Sequence, residues 1–291
     1  MAPEGPDQIQ HVSDTALMVA ACRAIETARA DGLVRDPFAE RLAGPRGDAI
    51  LRGITGWQLM CFGIGVRTRF LDDLVIETIA GDGIEVVLSV GAGLDTRPWR
   101  LELPAELRWI EADFPEMLSY KTGAMAGEEP RCRLERVAAD VTDEAQRAAL
   151  VAAAGGARTL MITEGLLMYL AGEVVEAMAG DAARHGVRRW LLDSSSLELA
   201  RTMGWDAKGS VENVRAAGHL QGAAMLEAVR RNGWSQLRFR GYARDSQEVA
   251  AERIAAMIRP YVEKGIPVPA APLEDTSGVY LFANLSVVDG G

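Results

Sequence analysis

Two glycines and two carboxylates stand in an order that suits the binding of a nucleoside. Gly91 and Gly93 follow residues 85–90 (EVVLSV), a short β-branched run typical of a buried strand. Glycines there let the backbone turn tightly and approach a ligand closely. Glu111 lies 20 residues after Gly91, and Asp113 lies 22 after it on the same face of a second predicted strand. A carboxylate at that point accepts hydrogen bonds from ribose hydroxyls, so the pattern predicts a nucleoside-containing cofactor.

The third glycine of a dinucleotide-binding turn is absent, because position 96 is Thr. A plain turn between a strand and a helix therefore stays open as an alternative. The missing glycine also weakens the case for a dinucleotide, whose pyrophosphate binds at the N-terminus of a helix. S-adenosylmethionine has no phosphate and requires less of this apparatus.

Seven predicted strands alternate with helical patterns and must position these residues. The strand candidates are residues 85–90, 108–114, 137–141, 159–163, 189–193, 235–242 and 279–287. Alternation of strands with helices predicts an α/β fold with βαβ units and a mainly parallel sheet. The last two strands are expected to form an antiparallel hairpin at its edge. The prolines between residues 260 and 272 predict a loop.

Helical patterns precede the first strand, at residues 15–30, 38–43 and 57–79. We predict that residues 1–80 form a helical segment that covers the cofactor as a lid. Residues 81–291 are predicted to form the cofactor-binding core, and the lid belongs to the same domain.

Composition narrows the functional classes. The 291 residues carry a net charge of -10, which disfavours binding to a phosphate backbone. The cysteines are three, scattered and without a CxxC pair, so a reducing compartment fits better than a disulfide framework. No signal peptide and no apolar run of bilayer-spanning length is visible. The expected location is the cytoplasm, without a membrane partner.

Six motifs occur in the order found in one family, over roughly residues 12–245. They are residues 12–24 (VSDTALMVAACRA), 35–43 (RDPFAERLA), 67–73 (RTRFLDD), 90–101 (VGAGLDTRPWRL), 109–121 (WIEADFPEMLSYK) and 163–170 (TEGLLMYL). The chain resembles the leucine carboxyl methyltransferase superfamily, in its bacterial branch of small-molecule O-methyltransferases. The resemblance implies a Rossmann-like class I methyltransferase fold and S-adenosyl-L-methionine as the cofactor.

The resemblance also implies roles for individual residues. Arg67 would contact the methionine carboxylate of the cofactor, and Gly91 and Gly93 would pass beneath its methionine part. The residue that holds the ribose would be Asp113. Asp140 and Val141 would lie beside the adenine, and Glu164 would point into the site near the cofactor.

A carboxylate is the expected methyl acceptor. Carboxylates are ionised at pH 7 and need no general base, whereas a phenol benefits from one. The three histidines lie outside the motifs, which favours an acidic small molecule as the substrate. No residue is identified as a catalytic acid or base, and Glu164, Tyr169 and Arg97 are predicted to position the reactants. No spacing indicates a metal site.

Several alternatives remain open from the residues. Arg67, Arg69, Arg97 and Arg100 bind ligand carboxylates or pair with nearby aspartates, and Tyr169 lines the acceptor pocket or packs in the core. An NAD-dependent oxidoreductase, a nucleic-acid methyltransferase and a catalytically silent cofactor-binding protein are the competing functions. The oligomeric state is expected to be a monomer or a homodimer.

Overall fold

The computed structural model describes residues 11–194, 216–264 and 276–287. Seven strands form one sheet in the order β3-β2-β1-β4-β5-β7-β6. The strands are β1 (Val86–Val90), β2 (Arg108–Asp113), β3 (Arg133–Ala138), β4 (Thr159–Thr163), β5 (Arg189–Ser194), β6 (Trp234–Gly241) and β7 (Gly278–Asn284). Strands β1 to β5 pair in parallel, and β7 runs antiparallel to both β5 and β6. The predicted mainly parallel sheet of seven strands with an antiparallel edge pair is thereby confirmed.

Helices separate most of these strands. They are α1 (Val12–Ala28), α2 (Ala39–Arg52), α3 (Trp57–Asp82), α4 (Arg97–Arg100), α5 (Pro115–Ala124), α6 (Glu144–Ala154), α7 (Gly172–Arg184), α8 (Gly222–Arg231) and α9 (Gln247–Glu263), with a short 3-10 helix at Leu167–Tyr169. Within the described ranges, no helix is both long and apolar enough to cross a membrane.

The central strands are buried on both faces of the sheet. Leu88 and Leu192 pack against α6 to α8 on one face, whereas Val87 and Leu191 pack toward α3 on the other. Alternate residues of a strand point to opposite faces, so a continuous apolar run such as TLMIT in β4 is buried throughout. This burial fixes the strands, and their carboxyl ends then present polar residues along one edge.

The N-terminal helices form their own apolar cluster against the segment that follows β1. Met18 of α1 and Leu42 of α2 share this cluster with Leu94 and Trp99. The position of Gly44, with φ of 57°, kinks α2 just before Pro45. The N-terminal helices therefore contact the cofactor loop predicted from the sequence.

Several boundaries differ from the sequence-based predictions. Helix α2 extends to Arg52 rather than residue 43, and β7 ends at Asn284 rather than residue 287. Strand β3 begins at Arg133 rather than residue 137, because it is an edge strand with alternating exposure and lacks a continuous apolar run. Pro260 was expected to begin a loop but lies in the last turns of α9. A proline near a helix end removes a single hydrogen-bond donor, and the helix continues past it. The remainder of that predicted loop, residues 265–272, lies outside the described residues.

Candidate active site

The glycine turn lies directly after β1. Gly91 and Gly93 have φ values of 64° and 45°, in the left-handed region that glycine adopts most readily. A Cβ atom at position 91 would lie 2.9 Å from Leu166 Cδ1. The turn therefore requires glycine both for its backbone conformation and for its close approach to the segment after β4.

Asp113 holds this turn from the end of β2. Its Oδ2 atom accepts a hydrogen bond from the Gly93 amide at 2.7 Å, and its Oδ1 atom accepts one from the Phe114 amide at 2.7 Å. Burial raises the pKa of Asp113, although these two amide contacts oppose the rise. A carboxylate has about four lone-pair directions, so acceptor capacity for two further donors remains.

Glu111, the other acidic residue of β2, has a different environment. It is fully buried, accepting from Lys121 Nζ at 2.6 Å and from Arg136 Nε at 3.0 Å. Both of its oxygens therefore serve ion pairs inside the protein. Of the two carboxylates that the sequence places near the ribose, Asp113 has the open geometry.

Two arginines hold Glu164 at the carboxyl end of β4. Arg67 Nη2 lies 3.0 Å from Glu164 Oε1, and Arg97 Nη1 lies 2.7 Å from Glu164 Oε2. Burial alone would raise the pKa of Glu164, but Arg97 and Arg67 outweigh it and lower the pKa. Glu164 is thus an anion held between two cations, one from α3 and one from α4.

The two arginines differ in how completely the protein satisfies them. Arg97 is 1% exposed and also pairs with Asp72 at 2.7 Å and Asp95 at 3.0 Å. Arg67 pairs further with Asp193 at 3.5 Å, but its buried Nε atom has no hydrogen-bond partner among the described residues. An unpaired guanidinium donor is a suitable contact for a ligand carboxylate.

The other two arginines have partners of their own. Arg100 forms a two-pronged contact with Asp72 at 2.5 and 2.8 Å. Arg69 pairs with Asp73 one helical turn away at 2.9 Å. These contacts match the aspartate pairing that the sequence left open for them.

Asp140 and Val141 lie just beyond β3, beside Asp113. The Ala139 amide donates to the Asp113 carbonyl at 3.0 Å, which joins the two strand ends. Asp140 Oδ1 accepts from the amide and the hydroxyl of Thr142, at 2.9 and 2.7 Å, and Val141 packs against the core. The predicted adenine contacts therefore lie at the opposite end of the site from Arg67 and Glu164.

Three functional candidates at this edge were not predicted from the sequence. Asp193, on β5, accepts a hydrogen bond from the Gly165 amide at 2.6 Å and so fixes the turn after Glu164. Ser194 Oγ and the Tyr242 hydroxyl are buried without a hydrogen-bond partner in the described ranges. Asp193 could have been found as an acidic residue at the carboxyl end of a predicted strand. Tyr242 follows β6, and no motif marks it.

A pocket lies between the ends of β4 and β5 and the start of α8. Its space is about 260 Å³, including the part that opens to solvent. The walls are largely apolar, with polar atoms at one end; they comprise Gly165, Leu166, Leu167, Met168, Asp193, Ser194, Leu220, Gln221, Gly222 and Met225. Tyr169, predicted to help position the reactants, lies in the adjoining 3-10 helix and its carbonyl accepts from the Ala216 amide at 3.0 Å.

The residues at this edge fit S-adenosylmethionine. Arg67 offers a buried donor for a carboxylate, the glycine turn follows β1 at the same edge of the sheet, and Asp113 retains acceptor capacity for ribose hydroxyls. In the described part of the chain, no three His, Cys, Asp or Glu side chains are grouped to hold a metal ion.

Comparisons with known proteins identify the family of the chain. The family model described as leucine carboxyl methyltransferase matches residues 16–182. A Frankia alni protein, named as a proposed S-adenosyl-L-methionine-dependent methyltransferase, is 32% identical over 73% of this chain and 75% of its own length. A Saccharopolyspora erythraea protein with the same description is 35% identical over 72% of this chain and 80% of its own.

Solved structures share the fold at low identity. A DUF574 family protein from Streptomyces avermitilis aligns with a TM-score of 0.59 and 14% identity, over 91% of this chain and 96% of that one. The family match covers more than half of the chain, and the two relatives cover more than two thirds of it at over 30% identity. The resemblance inferred from the six motifs is confirmed: the chain belongs to the leucine carboxyl methyltransferase family of S-adenosylmethionine-dependent methyltransferases.

Proposed function

We propose that the chain is an O-methyltransferase that transfers the methyl group of S-adenosylmethionine to the carboxylate of a small acidic metabolite, such as a polyketide-like acid. The observation that carries this proposal is a pair of buried hydroxyls without hydrogen-bond partners among the described residues: Ser194 Oγ and the Tyr242 hydroxyl. Each of them can donate a hydrogen bond, and a carboxylate only accepts.

The surrounding charges support an anionic ligand at this place. Tyr242 interacts electrostatically with Asp193, Arg67 and Glu164, which puts its hydroxyl at the same cluster. Burial raises the pKa of Tyr242 well above its usual range, and the neighbouring Asp193 adds to the rise, so the hydroxyl keeps its proton. A protonated hydroxyl donates to a carboxylate oxygen and aligns it.

Methyl transfer requires the protein mainly to position the acceptor against the methyl group. Bound S-adenosylmethionine supplies an activated methyl group, and displacement at carbon requires the acceptor oxygen in line with it. We infer that Glu164, held by Arg97, helps to position the reactants, and the Asp193 contact with Gly165 keeps the turn after Glu164 in place. The apolar walls at Leu166, Leu220 and Met225 are the ones that an aliphatic or aromatic body attached to the acid would contact.

A hydroxyl acceptor is the second candidate, and His219 favours it. Its Nδ1 atom faces the Ala216 carbonyl at 3.1 Å, which assigns the proton of the neutral ring to Nδ1. Its Nε2 atom, left with the lone pair, contacts Gln221 at 2.6 Å, and Gln221 lines the pocket. With its proton on Nδ1, His219 accepts from the Gln221 amide through Nε2, and it would have to exchange this contact for the acceptor hydroxyl to serve as the base for methylation of a phenol or alcohol.

Location and partners are part of the proposal. We assign the chain to the cytoplasm, with a small acidic molecule rather than nucleic acid or membrane as its partner, and with a monomer or homodimer as its state. The net charge of -10 and the free cysteines support this assignment.

The test offers the protein two possible acceptor groups, a carboxylate and a hydroxyl, on the same molecule. The protein is incubated with methyl-labelled S-adenosylmethionine and aromatic acids that carry both a carboxyl and a phenolic hydroxyl, each paired with its carboxamide as a control. Methylation of a carboxylate gives an ester that mild base hydrolyses, whereas a methyl ether survives. We expect a base-labile product and no product from the carboxamides. A base-stable product that disappears in His219→Gln would establish the hydroxyl instead, and cofactor binding without any product would indicate a catalytically silent protein.

A further inference from the structure

A buried hydrogen bond ties the first helix to the cofactor loop. Arg23 of α1 is 6% exposed, and its Nη2 atom donates to the Leu94 carbonyl at 2.6 Å. Leu94 comes directly after the glycine turn. The position of the loop therefore depends on a side chain from a helix 71 residues earlier in the chain.

Asp36 completes this contact from the segment between α1 and α2. Its Oδ2 atom accepts from Arg23 Nε at 2.9 Å and from the Thr96 hydroxyl at 2.7 Å. The second oxygen accepts from the Phe38 amide at 3.1 Å. Asp36 and Thr96 are almost completely excluded from solvent. One carboxylate thus joins α1, the start of α2 and the end of the cofactor loop.

The loop is consequently held from two sides. Asp113 binds the Gly93 amide from the sheet, and Arg23 with Asp36 bind Leu94 and Thr96 from the N-terminal helices. A Cβ atom placed on Gly93 would lie 3.4 Å from the Ala16 side chain of α1, which shows how closely that helix approaches.

We propose that Arg23 and Asp36 form a clamp that positions the glycine turn for the cofactor, so that docking of α1 and binding of S-adenosylmethionine stabilise each other. Both are positioning residues, since they act through the loop. The proposal rests on the cofactor of the family and not on the acceptor proposed above.

Reciprocity distinguishes this clamp from ordinary core packing. If docking of α1 increases cofactor affinity, the cofactor must strengthen the docking of α1 by the same factor. A residue that serves only stability changes the unfolding transition, but it does not transmit the presence of a ligand from the loop to α1.

The test uses Asp36→Asn, with Arg46→Gln as the matched control. Arg46 also joins α2 to α1, through two contacts of 2.8 Å to Asp14, but it does not touch the loop. Binding of S-adenosylhomocysteine is measured by calorimetry, and hydrogen exchange of α1 is measured with and without this ligand. In the wild type we expect the ligand to slow exchange across α1.

For Asp36→Asn we expect a dissociation constant raised about tenfold or more and no ligand-dependent protection of α1, as expected when a hydrogen bond between charged groups is lost. Arg46→Gln should keep the wild-type affinity and protection. If Asp36→Asn does not fold, Thr96→Val removes the hydroxyl that donates to Asp36 and accepts from Arg100 Nε at 3.0 Å, and it should raise the constant in the same direction. Unchanged affinity and protection in a folded Asp36→Asn or Thr96→Val protein, or an equal loss in Arg46→Gln, would overturn the clamp. Absence of binding to the wild type would instead refute the cofactor assignment.

Discussion

The two carboxylates of β2, those of Asp113 and Glu111, have different functions. Asp113 lies at the end of β2 with acceptor capacity to spare, whereas Glu111 is surrounded by Lys121 and Arg136. Sequence spacing could place both on one face but could not tell which one is paired, because Lys121 and Arg136 come from α5 and β3. Tertiary contacts of this kind cannot be read from the strand itself.

Substitution separates the two roles. Asp113→Ala should weaken binding of S-adenosylhomocysteine by about ten- to a hundredfold, since hydrogen bonds to a charged group are lost, with the fold retained. Glu111→Gln should leave the affinity of the folded protein unchanged but lower the free energy of unfolding by about 3–5 kcal/mol, because Lys121 is left buried without its partner. Calorimetry and urea unfolding measure the two quantities. An unchanged affinity in Asp113→Ala removes that residue from the ribose.

Removal of the Tyr242 hydroxyl tests whether this residue binds the acceptor. Its hydroxyl has no hydrogen-bond partner in the described ranges, so Tyr242→Phe should cost little stability while raising the KM for the acceptor by about tenfold. The matched control is Tyr280→Phe, which loses a bond to the Thr276 carbonyl at 2.9 Å and should affect stability by about 1 kcal/mol but not KM. Steady-state kinetics with an acceptor identified by the labelling experiment gives both KM values. Equal KM values for the two variants would contradict the role of Tyr242.

Asp95 makes the stability of the protein sensitive to acid. Burial would raise the pKa of this group, but Arg97, Lys121 and Arg100 outweigh it and lower the pKa to about 2. Because the pKa of Asp95 in the folded protein lies below the ordinary value near 3.9, the ionised carboxylate stabilises the fold at any pH above about 3.9. This contribution to the free energy of unfolding is lost as the pH falls toward 2. The wild type should therefore lose about 2 kcal/mol more than Asp95→Asn between pH 5 and pH 2, by urea unfolding. Parallel curves for the two proteins would show that Asp95 is not stabilised as an anion.

At the scale of elements, the glycine turn is the most constrained segment of the site. Gly91 combines a positive φ with the side chain of Leu166 at close range, whereas Gly83 at the end of α3 has a similar φ of 61° and open space around it. The comparison isolates what close approach adds to backbone strain.

We expect Gly83→Ala to cost about 1 kcal/mol of unfolding free energy through backbone strain alone. Gly91→Ala should cost about 2 kcal/mol or more, because Leu166 must also move, and it should impair cofactor binding. Thermal unfolding with calorimetry provides the measurement. Equal destabilisation by the two substitutions would mean that Leu166 accommodates the methyl group without strain.

The central strands β1, β4 and β5 could be predicted because strands buried on both faces have continuous apolar sequences. Edge elements carry weaker patterns, and the start of β3 was therefore placed four residues late. No prediction covered most of α9, and its last residues, from Pro260, were wrongly assigned to a loop. The position of Pro260 near the end of the helix, where one lost donor is tolerated, is not visible in the composition of the segment.

At the scale of the whole molecule, the site is assembled from distant parts of the chain. Arg67 comes from α3, Glu164 follows β4 and Asp193 belongs to β5, so only the fold brings the three together. The motifs identified Arg67 and Glu164 through the family resemblance, while Asp193 and the Arg23–Asp36 clamp required the structure.

The central claim is that the carboxyl edge of this sheet is a binding site for S-adenosylmethionine. Calorimetric titration of the protein with S-adenosylmethionine, S-adenosylhomocysteine and NAD, side by side, tests it most directly. We predict micromolar binding of the first two and no binding of NAD, because the turn lacks the third glycine of a dinucleotide-binding site. Tight binding of NAD, or no binding of either methionine-derived compound, would contradict the account.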